Sequence, residues 1–151
     1  MALTFDLTTS PITRDFADRL LDLSIAVFGD DDRLDGSWRL QNMPDLSSIT
    51  ARDGNQLVGF KLGYAATSKR YYSWLGGVHP EHRRRGIALA LMERQHEWIK
   101  SRGYQVIETE VAQANHGMAQ LNEQVGFVPA GLRFDGGRSR LIYRKFIEKT
   151  P

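Results

Sequence analysis

The sequence predicts an α/β fold in which one mixed sheet carries helices on both of its faces. Segments of apolar and polar alternation share the chain with segments whose apolar residues recur at helical spacing. In the middle of the chain the segments follow the order β-α-β-α-β, which favours parallel pairing through right-handed crossovers. Nearer the N-terminus, Asp53-Gly54-Asn55 is typical of a hairpin turn and therefore favours antiparallel pairing.

The first half of the chain predicts four strands and two helices. Ser10-Pro11 is typical of a helix start, and Gly29 is a typical helix end. A short second helix within residues 30–43 is expected to stop before Pro44. The adjacent glycines Gly76-Gly77 predict a bulge or a close backbone approach inside the fourth strand. The four predicted strands are residues 3–8, 48–52, 56–65 and 71–78.

The second half predicts two helices and three strands. One helix spans about 86–101 and is stopped by Gly103. A shorter helix over 115–125, closed by Gly126, should turn Met118, Leu121 and Val125 inward. The three predicted strands are residues 105–111, 127–132 and 140–146.

Length and composition exclude several classes of protein. A chain of 151 residues predicts a single domain over 1-151, and its formal net charge of +2 argues against a nucleic-acid partner. Because the chain has no cysteine, it has no disulfide, cysteine nucleophile or thiolate metal site, and this composition fits a cytoplasmic protein. We expect no signal peptide, no membrane partner and no metal site, because the corresponding sequence patterns are missing.

The basic segment HPEHRRRGIALALM, residues 79–92, lies between a predicted strand end and a predicted helix start. Its composition alone fits a solvated basic turn. At this position, however, the N–H groups and partial positive charge of a helix N-terminus bind anions. Gly86 lets a ligand approach the backbone, and the three arginines add charge. The segment therefore suits a diphosphate, although it is neither a P-loop nor a dinucleotide fingerprint.

Two motifs in the chain resemble those of the GNAT N-acetyltransferase superfamily. After the strand end at Val78, Arg83, Gly86 and Ala88 match its acetyl-CoA signature, Q/R-x-x-G-x-G/A. Downstream, the family's helix N-x-x-A-x-x-L-Y-x-x-x-G-F is resembled by Asn115, Met118, Leu121 and Gly126-Phe127. The resemblance spans nearly the whole chain. It implies a strongly twisted sheet of about seven strands and direct transfer of an acetyl group from acetyl-CoA to a primary amine in a ternary complex.

The same resemblance implies where the donor binds. Acetyl-CoA would lie in the gap where the strand ending at Val78 splays from the strand 105–111, with its pantetheine arm along the exposed strand edge. Backbone N–H groups from Arg84 to Ala88 would hold the diphosphate. Asn115 would bond the pantetheine, unless it is only a helix N-cap. The implied donor-binding residues are Gly77, Val78, Arg83, Arg84, Arg85, Gly86, Ile87, Ala88 and Asn115.

A base is expected because only about one in 2,500 amines with an ordinary lysine-like pKa is neutral at pH 7. The resemblance implies Glu110 as that base or as a group that orients water, although a solvated strand residue remains an alternative. It also implies that the backbone N–H of Val78 donates to the carbonyl oxygen.

The general acid is in doubt, because Asn122 stands where the family has a tyrosine, and asparagine cannot supply a proton. The thiolate leaves unassisted, or another tyrosine reaches it. Tyr72, Tyr104 and Tyr143 are candidates, with core packing as the alternative role of each.

The acceptor is the least determined feature. The acidic loop 29–35 suits a cationic amine or is simply solvated, and four aromatic residues line an acceptor pocket or belong to the core. These aromatic residues are Trp38, Tyr71, Tyr72 and Trp74. We expect a small-molecule amine first. A peptide or protein N-terminus, or acyl-CoA binding without catalysis, are the alternatives, and the family's frequent dimers favour a homodimer.

Overall fold

The computed structural model describes residues 2–29 and 33–147. Residues 30–32, which hold most of the acidic loop, lie outside the described residues. The described residues form a seven-stranded sheet and four α-helices. The strands are β1 Leu3–Thr9, β2 Ser47–Asp53, β3 Gln56–Ala65, β4 Arg70–Val78, β5 Val106–Ala112, β6 Val128–Asp135 and β7 Arg138–Phe146. The helices are α1 Arg14–Phe28, α2 Arg33–Asn42, α3 Ile87–Ser101 and α4 His116–Gln124, and a short 3-10 helix spans Pro80–His82.

The sheet is mixed, as predicted, with the strand order β1-β2-β3-β4-β5-β7-β6. Only β4 and β5 pair in parallel, whereas every other neighbouring pair is antiparallel. The expectation of parallel pairing throughout the middle of the chain is therefore only half right. Strand β7 turns back from β6 and inserts between β5 and β6, so the second crossover does not create a second parallel pair.

Helices cover both faces of the sheet. On one face, α1 and α2 bury leucines against Phe60, Leu62 and Tyr64 of β3. On the other face, α3 and α4 pack against a cluster that includes Tyr71, Ile107 and Phe127. No helix among the described residues is long and apolar enough to cross a membrane.

The first helix begins at Arg14 rather than directly after Ser10. The side chain of Thr13 accepts the N–H of Phe16 and so provides the N-cap. Ser10 instead exchanges hydrogen bonds with the backbone of Leu46, which ties the end of β1 to the start of β2. Gly29 ends the helix as predicted, with a left-handed φ of 67°.

The residue of helix α4 that is buried in the interior is polar, and the apolar pattern of the sequence did not predict it. Asn122 is its most buried residue, at 1% exposure. Met118, Leu121 and Val125 are only partly buried at the edge of the core. The helix therefore presents an amide, rather than only apolar side chains, to the centre of the molecule.

The bulge in β4 lies at Trp74 and not at the paired glycines. The register passes from Gly63↔Ser73 to Leu62↔Leu75, which leaves Trp74 as the extra residue. The glycines mark the predicted close approach instead, and it involves side chains. A Cβ on Gly76 would lie 2.7 Å from Lys61 Cδ, and one on Gly77 would lie 2.8 Å from a methyl group of Val27.

Candidate active site

The two central strands separate halfway along their length. Strands β4 and β5 are in register over four pairs, from Arg70↔Val106 to Ser73↔Thr109. Beyond Ser73, β4 keeps only β3 as a partner, and β5 keeps only β7. The bulge at Trp74 falls where the separation begins, and a bulge bends the strand that carries it. The predicted splay between these strands is therefore present.

The open edge of β4 directs specific backbone groups into this gap. The N–H of His79 donates to the carbonyl of Val58 at 2.7 Å, so these two residues form a hydrogen-bonded pair. Because such pairs alternate along an antiparallel ladder, the backbone groups of Val78 and Gly76 point away from β3. Those of Gly77 point towards Phe60 of β3.

This alternation refines the predicted contacts of the strand edge. The N–H of Val78 faces the gap, where the sequence analysis placed the donor to the carbonyl oxygen. Gly76 offers a second N–H that the sequence analysis missed, although counting alternate residues from Val78 would have found it. Gly77 leaves room for Val27 but has no backbone group left for a ligand.

A cleft of about 710 Å³ occupies the gap and opens towards α1 and α2. It brings together three of the predicted residues, Glu110, Asn115 and Asn122. The segment 83–88 does not line this cleft but lies at the N-terminus of α3. The cleft is also lined by charged, aromatic and glycine residues, which include Arg33, Asp35, Lys61, Trp74, Gly76, Arg138 and Arg140.

The start of α3 has the backbone that an anion site requires. Arg84 has a φ of 65° and Gly86 a φ of 74°, both left-handed. For Arg84 this conformation costs roughly 1–2 kcal/mol, and such strain is typically kept where function needs it. Nothing lies within 4 Å of a Cβ built on Gly86, and no side chain among the described residues caps the helix. The first N–H groups of α3 are thus open to a diphosphate.

Glu110 lies on β5 and lines the cleft. Its carboxylate accepts hydrogen bonds from Tyr72 Oη at 3.0 Å and from Arg133 Nε at 2.5 Å. Burial pushes the pKa of Glu110 up, but hydrogen bonds from Arg133 and Tyr72 and the charges of Arg133 and Arg140 outweigh it. The pKa therefore lies below its ordinary value, and Glu110 is ionised at neutral pH.

The two asparagines of α4 differ in their contacts. Asn115 is the N-cap, because its Oδ1 accepts the N–H of Met118 at 3.2 Å. Asn115 also lines the cleft, so the cap and the predicted ligand contact are compatible. Asn122 is buried, and its Nδ2 has no hydrogen-bond partner within the described part of the chain. A buried, unsatisfied donor beside a cleft is a site that a ligand acceptor can fill.

None of the candidate tyrosines lines the cleft. Tyr104 donates to Asp45 at 2.5 Å and stacks edge-on with Tyr71, while Tyr143 is buried in the same cluster. Tyr72 is held by Glu110 on the opposite face of the sheet from α3. Of the four aromatic residues considered for the acceptor pocket, only Trp74 lines the cleft.

The lining of the cleft carries more positive than negative charge within the described residues. Asp35 is paired with Arg39 at 3.0 Å, and Glu110 is paired with Arg133. Arg138 and Arg140 of β7 also line the cleft, and no ion pair to either is formed by the residues that the structure describes. The acidic residues of the loop considered for the acceptor wall of the cleft lie mostly outside the described residues, and the part of that wall that the structure describes is basic.

Lys61 is a cleft residue that the sequence analysis missed. It lies in the middle of β3, is 8% exposed, and burial lowers its pKa to about 8. A single lysine inside the otherwise apolar strand QLVGFKLGYA was a usable signal, because a central strand rarely buries an unpaired charge.

A mixed sheet that splays around a cleft, with an open helix N-terminus beside it, fits an acyltransferase that uses a CoA thioester. The chain belongs to the acetyltransferase (GNAT) family, whose model matches residues 17–127. As a member of this family, the protein is an acetyltransferase with acetyl-CoA as its donor cosubstrate. The unpaired edge of β4, the open start of α3 and the unsatisfied amide of Asn122 all fit that cosubstrate.

Solved structures show the same fold. The ribosomal-protein-S18-alanine N-acetyltransferase of Escherichia coli superposes with a TM-score of 0.83 at 15% identity, covering 98% of this chain and 97% of its own. A GNAT family acetyltransferase from Elizabethkingia anophelis with acetyl-CoA bound has a TM-score of 0.74 at 14% identity, with coverages of 96% and 98%. Nourseothricin acetyltransferase is 28% identical over 68% of this chain and 66% of its own, with a TM-score of 0.62. No curated protein sequence matches the chain.

Proposed function

We propose that the protein acetylates a primary amine of a small molecule by direct attack of that amine on acetyl-CoA in a ternary complex. The observation that carries this proposal is the cleft of about 710 Å³, which is lined both by Gly76 at the open edge of β4 and by the proposed acceptor wall. Its volume is in the range of small-molecule sites, which is about 300–1,000 Å³. Both reactants would therefore meet in one space.

Direct attack also follows from the residues available. The chain has no cysteine to carry an acetyl group, and no serine–histidine pair lies among the described residues that line the cleft. Bound acetyl-CoA supplies the activated acetyl group. The N–H groups of Gly76 and Val78 would hold its carbonyl oxygen and strand-like arm, and α3 would hold its diphosphate.

Glu110 would act on the acceptor. Its lowered pKa makes it a weak base, so a direct proton transfer from an ammonium group is unfavourable. A carboxylate held by Tyr72 and Arg133 can instead orient the amine and a water molecule that carries its proton to solvent. This favours the water-orienting role over the role of sole base.

The test is release of free thiol from acetyl-CoA by the purified protein with a panel of small amines and of peptides with different N-terminal residues. We expect turnover with at least one small amine and little with the peptides. Turnover restricted to peptides would contradict the proposal.

A peptide or protein N-terminus is the second candidate acceptor. Phe28, Leu34 and Trp38 expose large apolar surfaces around the α1–α2 side, with Leu34 at 89% exposure. A peptide could cover these side chains while its N-terminal amine enters the cleft. The relative from Escherichia coli, by its description, acts on a ribosomal protein. This candidate predicts that kcat/KM rises with peptide length, whereas a small-molecule enzyme shows no such rise.

A domain that binds acetyl-CoA with weakened catalysis is the third candidate, motivated by Asn122. Acetyl-CoA should then raise the melting temperature while acceptors support only very slow thiol release. Rapid turnover that is lost in a Glu110→Gln variant would exclude it.

A further inference from the structure

Lys61 reaches the gap by crossing over Gly76. The two residues are directly opposite in the register of β3 and β4. A Cβ on Gly76 would lie 2.7 Å from Lys61 Cδ and 3.3 Å from Lys61 Nζ. A larger residue at position 76 would displace the lysine side chain, which lines the cleft beside the unpaired edge of β4.

The side chain of Lys61 is largely buried and lacks a partner. Among residues 2–29 and 33–147, no side-chain hydrogen bond or ion pair of Lys61 is found, and Lys61 is the only lysine in the buried part of this region. A buried, unpaired charge opposes folding, so its presence in a central strand calls for a functional reason. The cleft supplies one, because a reacting group placed there would be the partner that the protein lacks.

Acetyl transfer would leave a thiolate in the gap, and a proton donor that lines the cleft could neutralise it. Asn122 lines the same cleft and offers its unsatisfied Nδ2, but an amide cannot release a proton. Tyr104 and Tyr143 lie in the core, and Tyr72 is bonded to Glu110 on the other face. Lys61 is the titratable donor of the described residues that lies beside Gly76, whose N–H faces the gap.

We propose that Lys61 donates a proton to the sulfur atom that leaves during acetyl transfer, with Asn122 as an additional hydrogen-bond donor. A C–N bond forms between the acceptor nitrogen and the acetyl carbon, and the C–S bond breaks with its electron pair on sulfur. Lys61 Nζ gives one proton to that sulfur. The acceptor ammonium loses two protons to solvent, and one proton returns from solvent to Lys61. This role rests on the proposed acetyl transfer.

The acidities match this role. Burial lowers the pKa of Lys61 to about 8, close to the ordinary thiol value of about 8.5. From α3, the facing titratable group is His96, whose pKa burial and the charges of Lys145 and Lys61 lower to about 3, so it is neutral. Lys145 of β7 donates to His96 at 3.1 Å, and Glu110 faces the cleft from β5. The lining residues of α4 and β4 carry no titratable group.

The decisive test measures the ionisation of CoA itself rather than turnover. The ultraviolet absorbance of the thiolate is followed against pH in the complex of the protein with CoA, with the desulfo-CoA complex as the blank. A cation within hydrogen-bonding distance lowers a thiol pKa by about 1–3 units. We expect the bound thiol to ionise at least about one pH unit lower in the wild type than in Lys61→Met.

The outcomes separate the two proposals. Equal ionisation of bound CoA in the wild type and Lys61→Met would overturn the role of Lys61 and leave the acetyltransferase assignment intact. Failure of the wild type to bind CoA would overturn both. Lys100→Met, an exposed lysine of α3, is the control and should behave as the wild type. Methionine fills nearly the same volume as lysine, and a melting curve confirms that the variant is folded.

Turnover supplies a second readout. Lys61→Met should lower kcat by about 10²-fold, the lower end for loss of an acid–base catalyst. The KM for acetyl-CoA should change by less than about threefold, because backbone groups hold the cosubstrate. A rise of about 10²-fold in the KM for acetyl-CoA with an unchanged kcat would mean that Lys61 only helps to bind acetyl-CoA. That result would contradict the proposal.

Discussion

The two halves of the cleft are built in different ways. The proposed donor half consists of backbone groups on one strand edge and one helix start, which lie within a span of thirteen residues, from Gly76 to Ala88. The proposed acceptor half consists of side chains from α1, α2, β5 and β7. A site made of backbone is encoded by local sequence, whereas a site made of side chains depends on long-range packing. We therefore expect changes in the donor half to be more damaging and easier to foresee.

The largest effect is expected at the start of α3. Gly86→Glu should abolish CoA binding, with a loss of at least about 100-fold, because it adds a negative charge and a side chain where a diphosphate must approach. The left-handed φ of Gly86 adds a backbone penalty. Calorimetry with CoA measures the loss.

Arg84→Ala is the matched variant at the same site. It keeps the left-handed position occupied by a residue with a Cβ and removes only one exposed charge, so binding should weaken by less than about tenfold. A loss as large as that of Gly86→Glu would show that side chains, and not backbone groups, hold the diphosphate.

The next effect concerns Glu110, on the proposed acceptor half of the cleft. Glu110→Gln should lower kcat by about 10²-fold while CoA affinity stays within about twofold. Because the pKa of Glu110 is below its ordinary value, the carboxylate stays charged at neutral pH. The wild type should therefore lose activity through protonation of Glu110 only at acidic pH.

Glu108→Gln is the control for Glu110. It lies two residues earlier on the same face of β5, where it pairs with Arg70 at 3.0 Å and with Arg144. It does not line the cleft, so kcat should change little. Similar losses in the two variants would mean that Glu110 acts only through the fold.

Replacing Lys61 with methionine should change the free energy of unfolding in a pH-dependent way. Its pKa falls from 10.5 in the unfolded chain to about 8 in the folded protein, so the unfolded state binds more protons between these values. Stability of the wild type should therefore rise with pH from about 8 to 10.5, relative to Lys61→Met.

Below that window the variant should be more stable by up to about 3 kcal/mol, since one pKa unit is worth 1.36 kcal/mol. Urea unfolding at several pH values tests this. A variant less stable than the wild type at neutral pH would show that Lys61 serves the fold.

The smallest effect is expected on the acceptor wall. Arg140→Ala removes a partly exposed charge that is not ion-paired with any described residue. The KM for the acceptor should change by about two- to tenfold, in a direction that reports the acceptor's charge, while the KM for acetyl-CoA should stay constant. A change confined to the KM for acetyl-CoA would contradict the division of the cleft into two halves.

Most of the fold could be predicted from the sequence because its elements are locally encoded. Gly29 and the Asp53-Gly54-Asn55 turn end their elements as expected. The return of β7 between β5 and β6 could not be predicted, since strand order depends on contacts distant in sequence. The bulge at Trp74 was not predicted for a related reason. The paired glycines gave a stronger local signal, but they are needed because the side chains of Lys61 and Val27 pack closely against them.

The candidate site likewise combines features that local sequence predicts with features that depend on contacts distant in sequence. The roles assigned to Val78 and Gly86 depend on a strand end and a helix start, which the sequence marks. The ion pair of Glu110 with Arg133 joins two residues 23 positions apart and depends on how β6 returns to the sheet. The approach of Lys61 to Gly76 likewise requires the register of two strands, so apolar patterning alone could not reveal it.

The most direct test of the central claim is amide hydrogen exchange of the β4 edge, measured by nuclear magnetic resonance with and without acetyl-CoA. If the strand edge binds the cosubstrate, acetyl-CoA should slow exchange at Gly76 and Val78, whose N–H groups face the gap. Gly77 is the internal control, because its N–H is directed to β3 and should not change. Unchanged exchange at both Gly76 and Val78 in the saturated complex would contradict the account.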